Sequence, residues 1–371
     1  MLKINSVLNV NVPNFSYEIM IGENLLENLE HLIKENIQYK KCAVITNETI
    51  YNIYREKISI DAEYIILKDG EEYKNFDSYK YILDKLLELK LERSDLIVAI
   101  GGGVVGDIAG FAASTYLRGI RFVQVPTTLL AQVDSSVGGK VGINHTSGKN
   151  LIGAFWQPSL VVADISVLKT LDLRQLKTGL GEVLKYALIE KSCLNQNQDK
   201  YKNSLFEFLI ENKSEIYNIN LDIISELVYR CCELKASVVN KDEKEAGLRM
   251  ILNYGHTFAH SIEKCTNYKK FTHGEAVGLG MKMALDLSNK MGLITDEYCT
   301  KSNQLIDDYA IGCKLNKNEI SLDNLVFSIV YDKKVKDNKP RFILSCGEFE
   351  CKVKSVDNTE LIREIFKKYV D

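Results

Sequence analysis

Short runs rich in Val and Ile punctuate the first part of the chain, at positions 42–46, 64–67, 95–100, 121–125 and 160–163. They are almost continuously apolar rather than alternating, which suits strands covered on both faces. Between them, residues 24–36 and 76–90 repeat apolar positions at three- and four-residue spacing, the pattern of a helix with one buried face. Strands and helices in alternation predict a largely parallel sheet with helices on both sides. Ligands of such sheets sit at the carboxyl ends of the strands.

From residue 165 the texture turns nearly all helical. Residues 172–190, 221–239, 248–265, 274–291 and 296–309 each carry a helix-period apolar face. Residues 341–344 and 349–353 flank Cys346-Gly347 and predict a small hairpin, and a closing helix is expected over 359–369. The expected fold is an α/β amino-terminal domain, residues 1–164, with a largely parallel sheet. An all-α carboxy-terminal domain with a small β-hairpin, residues 165–371, follows. The junction of two such domains is the natural place for a site.

Composition narrows the setting. The 371 residues suffice for two ordinary domains, and 46% hydrophobic with 26% charged residues is the mix of a globular chain with a core. A formal net charge of -3, with Lys and Arg scattered, gives no reason to expect nucleic acid or a membrane surface as partner. Nine cysteines, none in a C-x-x-C pair, read as buried, reduced thiols. The amino terminus lacks a basic start followed by an apolar block. No stretch approaches the roughly 20 apolar residues that span a bilayer, so a cytoplasmic protein is expected.

The first candidate chemistry follows residues 95–100, which run straight into Gly101-Gly-Gly-Val-Val-Gly-Asp107 and an opening helix. Glycines let a backbone approach a pyrophosphate, and a helix N-terminus offers N–H groups and partial positive charge. Gly101, Gly103 and Gly106 satisfy G-x-G-x-x-G. The acidic residue expected about 20 positions on is missing, however, since the next run ends Val125-Pro-Thr-Thr128. A tight structural turn is the competing reading. The buried run and opening helix favour a nucleotide phosphate, held in a layout other than the standard Rossmann one. Asp69-Gly-Glu-Glu-Tyr-Lys74 is a second candidate, because carboxylates at a strand's end can accept from ribose hydroxyls. Standing alone, it reads as an ordinary polar loop.

The second candidate is a metal site. Three of the five histidines, His256, His260 and His273, fall within 18 residues. His256 and His260 are spaced i, i+4, on one helix face about 6 Å apart. Glu182 and Lys185 share a face of an earlier helix. A carboxylate and two imidazoles could bind zinc and leave positions open for substrate. On spacing alone a polar helix face explains the pair as well, and spacing does not say which histidines ligate. Arg249 and Asn253 stand one turn apart, Lys235 lies on a preceding helix, and Lys140, Lys149 and Asn150 fall in a Gly-rich loop. Singly each reads as a surface group; together they suggest a pocket for a carboxylate- or phosphate-bearing anion.

Gly101-Gly-Gly-Val-Val-Gly-Asp107, Pro126-Thr-Thr128, Asp134-Ser-Ser-Val-Gly-Gly-Lys140, Gly148-Lys-Asn150, Gly181-Glu-Val-Leu-Lys185, Asn253-Tyr-Gly-His-Thr257 and His273-Gly-Glu-Ala-Val277 occur in this order. In sequence and order they resemble the 3-dehydroquinate synthases. Tyr17-Glu-Ile-Met-Ile-Gly22 and Asp332-Lys-Lys334 extend the resemblance toward both ends. It implies that Glu182, His256 and His273 are the metal ligands, for zinc or alternatively cobalt(II), and that His260 belongs to the substrate-phosphate region. It implies that NAD lies against Asp69, Glu71, Lys74, Gly102, Gly103, Val104, Asp107, Thr127, Thr128 and Thr170, with Lys140 and Lys149 nearby. Arg249 and Lys235 would hold the substrate carboxylate. Lys140, Asn150, Asn253, His260 and Lys334 would hold its phosphate, joined by Arg118 from the other subunit of a homodimer. Asp134, Lys185 and Glu245 would surround the reacting hydroxyls. One departure is Thr46-Asn47, where some relatives carry an aspartate; it leaves the partners of the adenosine ribose open.

The reaction so implied converts 3-deoxy-D-arabino-heptulosonate 7-phosphate to 3-dehydroquinate and phosphate, with NAD oxidising an alcohol transiently and taking no net part. Two readings compete with it. A sister sugar-phosphate cyclase would use the same cofactors on a substrate without a carboxylate. A metal-dependent polyol dehydrogenase of the glycerol dehydrogenase type would give net NADH.

Overall fold

The computed structural model describes residues 3–194, 201–312, 314–330 and 340–371. The chain divides into two compact units, Met1–Asp172 with Glu215–Lys244, and Leu173–Ser214 with Glu245–Asp371.

The first unit runs β1 (Lys3–Val12), β2 (Phe15–Glu23), α1 (Leu29–Asn36), β3 (Cys42–Asn47), α2 (Glu48–Tyr54), β4 (Glu63–Leu67), α3 (Phe76–Glu88), β5 (Leu96–Gly101) and α4 (Gly103–Thr115). It continues with β6 (Arg121–Pro126), β7 (Lys140–His145), β8 (Gly148–Phe155) and β9 (Leu160–Asp164). Seven strands form one sheet in the order β1-β2-β9-β6-β5-β3-β4. Only β1 pairs antiparallel, to β2; the other neighbours are parallel.

The continuous apolar runs explain this arrangement. All six positions of β5 are buried, so both faces of the sheet must be covered. Ile82 and Leu86 of α3 and Ile108 and Ala112 of α4 pack on one face with Ile97 and Ala99. Leu29, Leu32 and Ile33 of α1 pack on the other with Val98 and Ile100. Each fully buried aliphatic side chain contributes about 1.5–3 kcal/mol. Buried polar groups are absorbed locally: Thr46 Oγ1 donates to the carbonyl of Ile100 at 2.8 Å. Asp164 accepts from the backbone N–H groups of Asn24, Leu26 and Ser166.

The remaining elements are α5 (Leu173–Cys193), α6 (Leu205–Tyr217), α7 (Leu221–Val239), α8 (His256–Cys265), α9 (His273–Lys290), α10 (Asp296–Asp308), α11 (Leu322–Val330), β10 (Arg341–Ser345), β11 (Cys351–Ser355) and α12 (Thr359–Tyr369). Helix α7 packs on β1 and β2, so the chain returns to the first unit, which a single boundary after residue 164 does not describe. The second unit is otherwise helical, with β10 and β11 as an antiparallel hairpin. Among the described residues no helix is long and apolar enough to cross a membrane.

Three expectations are corrected. Residues 248–265 are not one helix. A 3-10 turn, Leu248–Asn253, is followed by Gly255 at φ +78°, and α8 starts afresh at His256. A Cβ on Gly255 would lie 2.7 Å from Met281 Cγ and 2.9 Å from its backbone N, so close packing fixes the break. Residues 140–150, expected as a Gly-rich loop, form the β7–β8 hairpin. The second strand of the carboxy-terminal hairpin starts at Cys351 rather than 349, with Phe349 in the turn at φ +62°.

Candidate metal centre and glycine turn

Glu182, His256 and His273 come from three helices, and their ligand-capable atoms lie within 4.8 Å of one another. Backbone-to-backbone contact sets this convergence. Where α5 crosses α9, a Cβ on Gly274 would sit 2.2 Å from the Thr178 carbonyl, and one on Gly181 2.7 Å from Gly274 Cα. Each glycine adjoins one of the three converging residues, Glu182 or His273. Where α9 meets the start of α8, a Cβ on Gly280 would sit 2.2 Å from the Gly255 carbonyl, and Gly255 precedes His256. Thr272 and Glu275 form a capping box that opens α9 at His273. Arg174 of α5 grips both oxygens of Glu275 and the Lys270 carbonyl.

The spacing suits a metal. Glu182 Oε1 lies 3.5 Å from His256 Nε2 and 3.4 Å from His273 Nε2. Ligand bonds of about 2.0–2.1 Å at tetrahedral angles put neighbouring donors about 3.4 Å apart. The outer nitrogens are anchored as ligating imidazoles require. His256 Nδ1 is 3.1 Å from the Tyr254 carbonyl, and His273 Nδ1 is 3.2 Å from Glu263 Oε1. Lys185, itself buried, donates to Glu182 Oε2 and lies 4.6 Å from the Tyr186 ring centroid.

Electrostatics point the same way. Burial pushes the His256 imidazole down to about 3 against the pull of Glu182, which leaves it neutral and able to donate a lone pair. Burial pulls His273 down too, but hydrogen bonds to Glu182 and Glu263 outweigh it and hold that imidazole up at about 10. Two carboxylates around one imidazole call for positive charge at this point, of the kind a divalent cation can supply.

The other expected residues of the second unit take distinct places. His260 is exposed one turn along α8, its ring 5.5 Å from that of His256, and does not join the three converging groups. Arg249 and Asn253 lie on the 3-10 turn, not on α8 with His256 as periodicity implied. Arg249 is 1% exposed. Asn253 donates to Glu245 Oε1 at 2.6 Å, and Glu245 holds a left-handed φ of +59°. Lys334 lies outside the described residues.

In the first unit, Gly101 ends β5, Gly102 caps α4 and Gly103 begins it, with no side chain capping the helix start. A Cβ on Gly102 would stand 3.1 Å from Thr128 Cγ2, and one on Gly103 3.2 Å from Ser135 Oγ. Thr127 N donates to the Gly101 carbonyl at 3.0 Å, while its buried hydroxyl makes no hydrogen bond. Thr128 Oγ1 accepts from Ala131 N at 3.2 Å. Val104 and Asp107 follow on the first turns of α4, partly exposed. Lys74, 4% exposed, reaches Asp107 Oδ2 at 2.5 Å and Asn150 Oδ1 at 2.6 Å. Burial pushes the Asp107 carboxyl up and Lys74 pulls it back.

At the end of β4, Asp69 accepts from Asn47 and, at 2.9 Å, from Thr49. The Asn47 that stands out in the sequence is therefore this carboxylate's partner. Glu71 Oε1 accepts from Asn144 at 2.7 Å. Thr170 bonds the hydroxyl of Tyr54. Asp134, in a π-turn over Ala131–Ser135, accepts from Lys235 of α7 at 2.9 Å. Lys140 and Arg118 are exposed and Lys149 partly so, with Arg118 at φ +65°.

Sequence reasoning missed three groups. Glu263 anchors His273 and stands seven residues after His256, on the same face of α8; that periodicity was its one signal. Asn144 holds Glu71 and also accepts from Asn150 N at 2.9 Å. The Tyr17 hydroxyl accepts from Gly138 N at 3.1 Å and so pins the loop before Lys140. No motif announces Asn144, and the 17–22 motif that Tyr17 opens gives no sign of its contact with Gly138.

Residues 64–178 match the family described as 3-dehydroquinate synthase N-terminal, and residues 179–335 the one described as 3-dehydroquinate synthase C-terminal. The 3-dehydroquinate synthase of Rippkaea orientalis is 40% identical over 368 residues, 97% of each chain. That of Nitrosomonas europaea is 43% identical over 348 residues, 92% of this chain and 90% of its own. A crystal structure of 2-deoxy-scyllo-inosose synthase with carbaglucose-6-phosphate, NAD+ and Co2+ superposes at a TM-score of 0.82 and 27% identity, covering 98% of this chain and 100% of that one.

Proposed function

The chain belongs to the 3-dehydroquinate synthase family, and we propose that Glu182, His256 and His273 hold its divalent metal while the glycine turn after β5 holds NAD. Its activity is that of the family: a lyase that converts 3-deoxy-D-arabino-heptulosonate 7-phosphate to 3-dehydroquinate and phosphate. The observation that carries the metal assignment is the 3.4 and 3.5 Å donor spacing around Glu182 Oε1, with both outer imidazole nitrogens already anchored. The similar 2-deoxy-scyllo-inosose synthase structure, with NAD+ and Co2+, supports the same pair of cofactors here. Zinc is the metal the nitrogen and oxygen donor set favours, with cobalt(II) as its substitute.

When bound, the metal would supply Lewis acidity toward a substrate hydroxyl and NAD would supply reversible hydride transfer. The chain's own residues do the rest by binding and orienting. Gly102, Gly103 and Val104 offer backbone N–H groups at a helix start to the cofactor's phosphates. Asp69, Glu71, Lys74, Asp107, Thr127, Thr128, Lys149 and Thr170 line its remaining length. Lys185 neutralises one oxygen of Glu182 and leaves the other for the metal. With Asp134 and Glu245 it meets the reacting hydroxyls. Arg249 and Lys235 take the substrate carboxylate, the planar fork of Arg249 suiting it bidentately. Lys140, Asn150, Asn253, His260 and Lys334 take its phosphate, and Arg118 joins them from a second copy in a homodimer. Holding both anionic ends at fixed geometry converts loose encounters into one oriented event. We place the protein in the cytoplasm, in line with described cysteines that are all free thiols and mostly buried.

The test is phosphate release from the heptulosonate phosphate with substoichiometric NAD. Many turnovers without NADH accumulating are expected, and NADH growth in step with substrate loss would sink the reading in favour of a polyol dehydrogenase. Sedoheptulose 7-phosphate, which has no carboxylate, should be used barely at all. Comparable kcat/KM on the two sugars would favour a sister cyclase.

A further inference from the structure

We propose that Glu263 is a positioning residue of the metal centre: from α8 it holds His273 of α9 by its outer ring nitrogen and so presents Nε2 to the metal. The inference rests on the metal reading above. Glu263 Oε1 lies 3.2 Å from His273 Nδ1, and the residue is only 4% exposed. Phe258, Ala259 and Ile262 around it on α8 are buried apolar residues, so packing alone would put another apolar side chain there. A carboxylate in such a place is costly unless it is partnered, and the His273 imidazole is one such partner.

The placement on α8 gives this contact its leverage. Seven residues separate His256 from Glu263, two turns and about 10.5 Å along the helix on one face. Helix α8 thus carries one ligand itself and, two turns on, the anchor of another. Sliding or rotating α9 against α8 would break the glycine contact at Gly255 and Gly280 or the Glu263–His273 bond.

The two histidines differ in what anchors them. His256 leans on a backbone carbonyl, that of Tyr254, which is neutral and fixed by the chain. His273 leans on a negative charge. An imidazole N–H bound to a carboxylate is a more basic ligand at its other nitrogen. Glu263 also adds a second negative charge to that of Glu182 in balancing a divalent ion. Glu275, two residues along α9, is not available for this role, because Arg174 and the Thr272 N–H occupy both its oxygens.

The experiment compares Glu263→Ala and Glu263→Gln with the parent protein. It reads the zinc dissociation constant by chelator competition, the visible spectrum of the cobalt(II)-loaded protein and the melt of the metal-free protein. Glu263→Ala should weaken zinc about 10- to 100-fold and shift the cobalt bands. Glu263→Gln, whose amide oxygen still accepts from Nδ1, should recover part of that affinity. NAD binding should stay at the parent level in both. Parent-like zinc affinity and cobalt bands in Glu263→Ala would overturn the proposal. So would equal zinc loss in both variants with earlier melting of the metal-free proteins, since Glu263 would then be a packing group. His273→Ala separates the two readings. If it keeps zinc, the metal assignment itself falls; if it loses zinc while Glu263→Ala does not, only this inference falls.

Discussion

At the metal centre three side chains from three helices converge on one point, and each is held from behind: Glu182 by Lys185, His256 by the Tyr254 carbonyl, His273 by Glu263. At the glycine turn the structure offers mostly backbone, an uncapped start of α4 with Gly102 and Gly103 cleared of side chains. Side chains there form a surrounding mesh, in which the buried Lys74 ties together the more exposed Asp107 and Asn150. A side-chain site depends on each of its members and should fail when one is removed. A backbone site is robust to most side-chain changes and sensitive to what keeps its mesh neutral.

The largest expected effect is at the first of these. Replacing Glu182, His256 or His273 by Ala should abolish tight zinc binding and lower turnover by three orders of magnitude or more, on the order of 4 kcal/mol of transition-state stabilisation. His260→Ala should keep its metal and lose activity or substrate affinity instead. Metal analysis finding His260→Ala empty and His273→Ala loaded would reverse the ligand set.

Next comes the Lys74–Asp107 pair at the glycine turn. Lys74→Ala leaves Asp107 without its cation and, because Asp107 keeps some contact with water, should cost less than the roughly 3–5 kcal/mol of a fully buried pair. Urea melts should show the loss, and Lys74→Ala with Asp107→Ala together should be less destabilised than the sum of the two. Strict additivity would mean that the pair is merely adjacent.

These two regions were legible in the sequence to different degrees. The glycine turn could be read almost directly, because a strand, three glycines and a helix start are consecutive and the chemistry is local. The metal centre could not. Periodicity gave His256 and His260 equal standing, and the pattern of apolar positions runs unbroken through Gly255, where the structure turns a corner. Resemblance to a family, not spacing, favoured His273 over His260. Glu263 escaped notice since a glutamate on an amphipathic helix is ordinarily solvated, and only packing against α9 turns it inward. The hairpin β7–β8 was hidden by its glycines and polar residues, which suit a loop as well as a strand. The return of α7 to the first unit depends on contacts with β1 and β2, remote in sequence.

The glycine contacts that bring Glu182, His256 and His273 together allow a sharper test of the contrast. Gly274→Ala would place a methyl group 2.2 Å from the Thr178 carbonyl, a backbone atom that cannot swing aside. Prising α9 from α5 should cost about 1–3 kcal/mol and also weaken zinc, because His273 moves with α9. Calorimetry and chelator competition on one sample would show whether the losses go together. Destabilisation with zinc affinity untouched would mean that Glu182 and His273 are set by something other than this crossing.

The smallest effect expected is a control for all the charged contacts. Glu30 and Lys34 pair one turn apart on the surface of α1 at 2.5 Å, with Lys34 more than half exposed. Unlike Lys74 and Asp107, they stay in water and surrender little by separating. The Lys34 hydrogen bond, more than any other cause, lowers the Glu30 carboxyl below its ordinary 4.5. A depressed carboxyl binds its proton less readily folded than unfolded, so its contribution to stability is present above about 4.5 and is lost as pH falls through the lower folded value. Glu30→Gln should therefore melt within about one degree of the parent at pH 7 and low salt. That gap should close as pH falls through the lowered folded value, and ~0.5 M salt at neutral pH should close it as well, since screening acts on exposed pairs first. A gap of several degrees that persists in acid would mean that Glu30 acts through packing. Burial would then not be what separates the strong charge pairs of this protein from the weak ones.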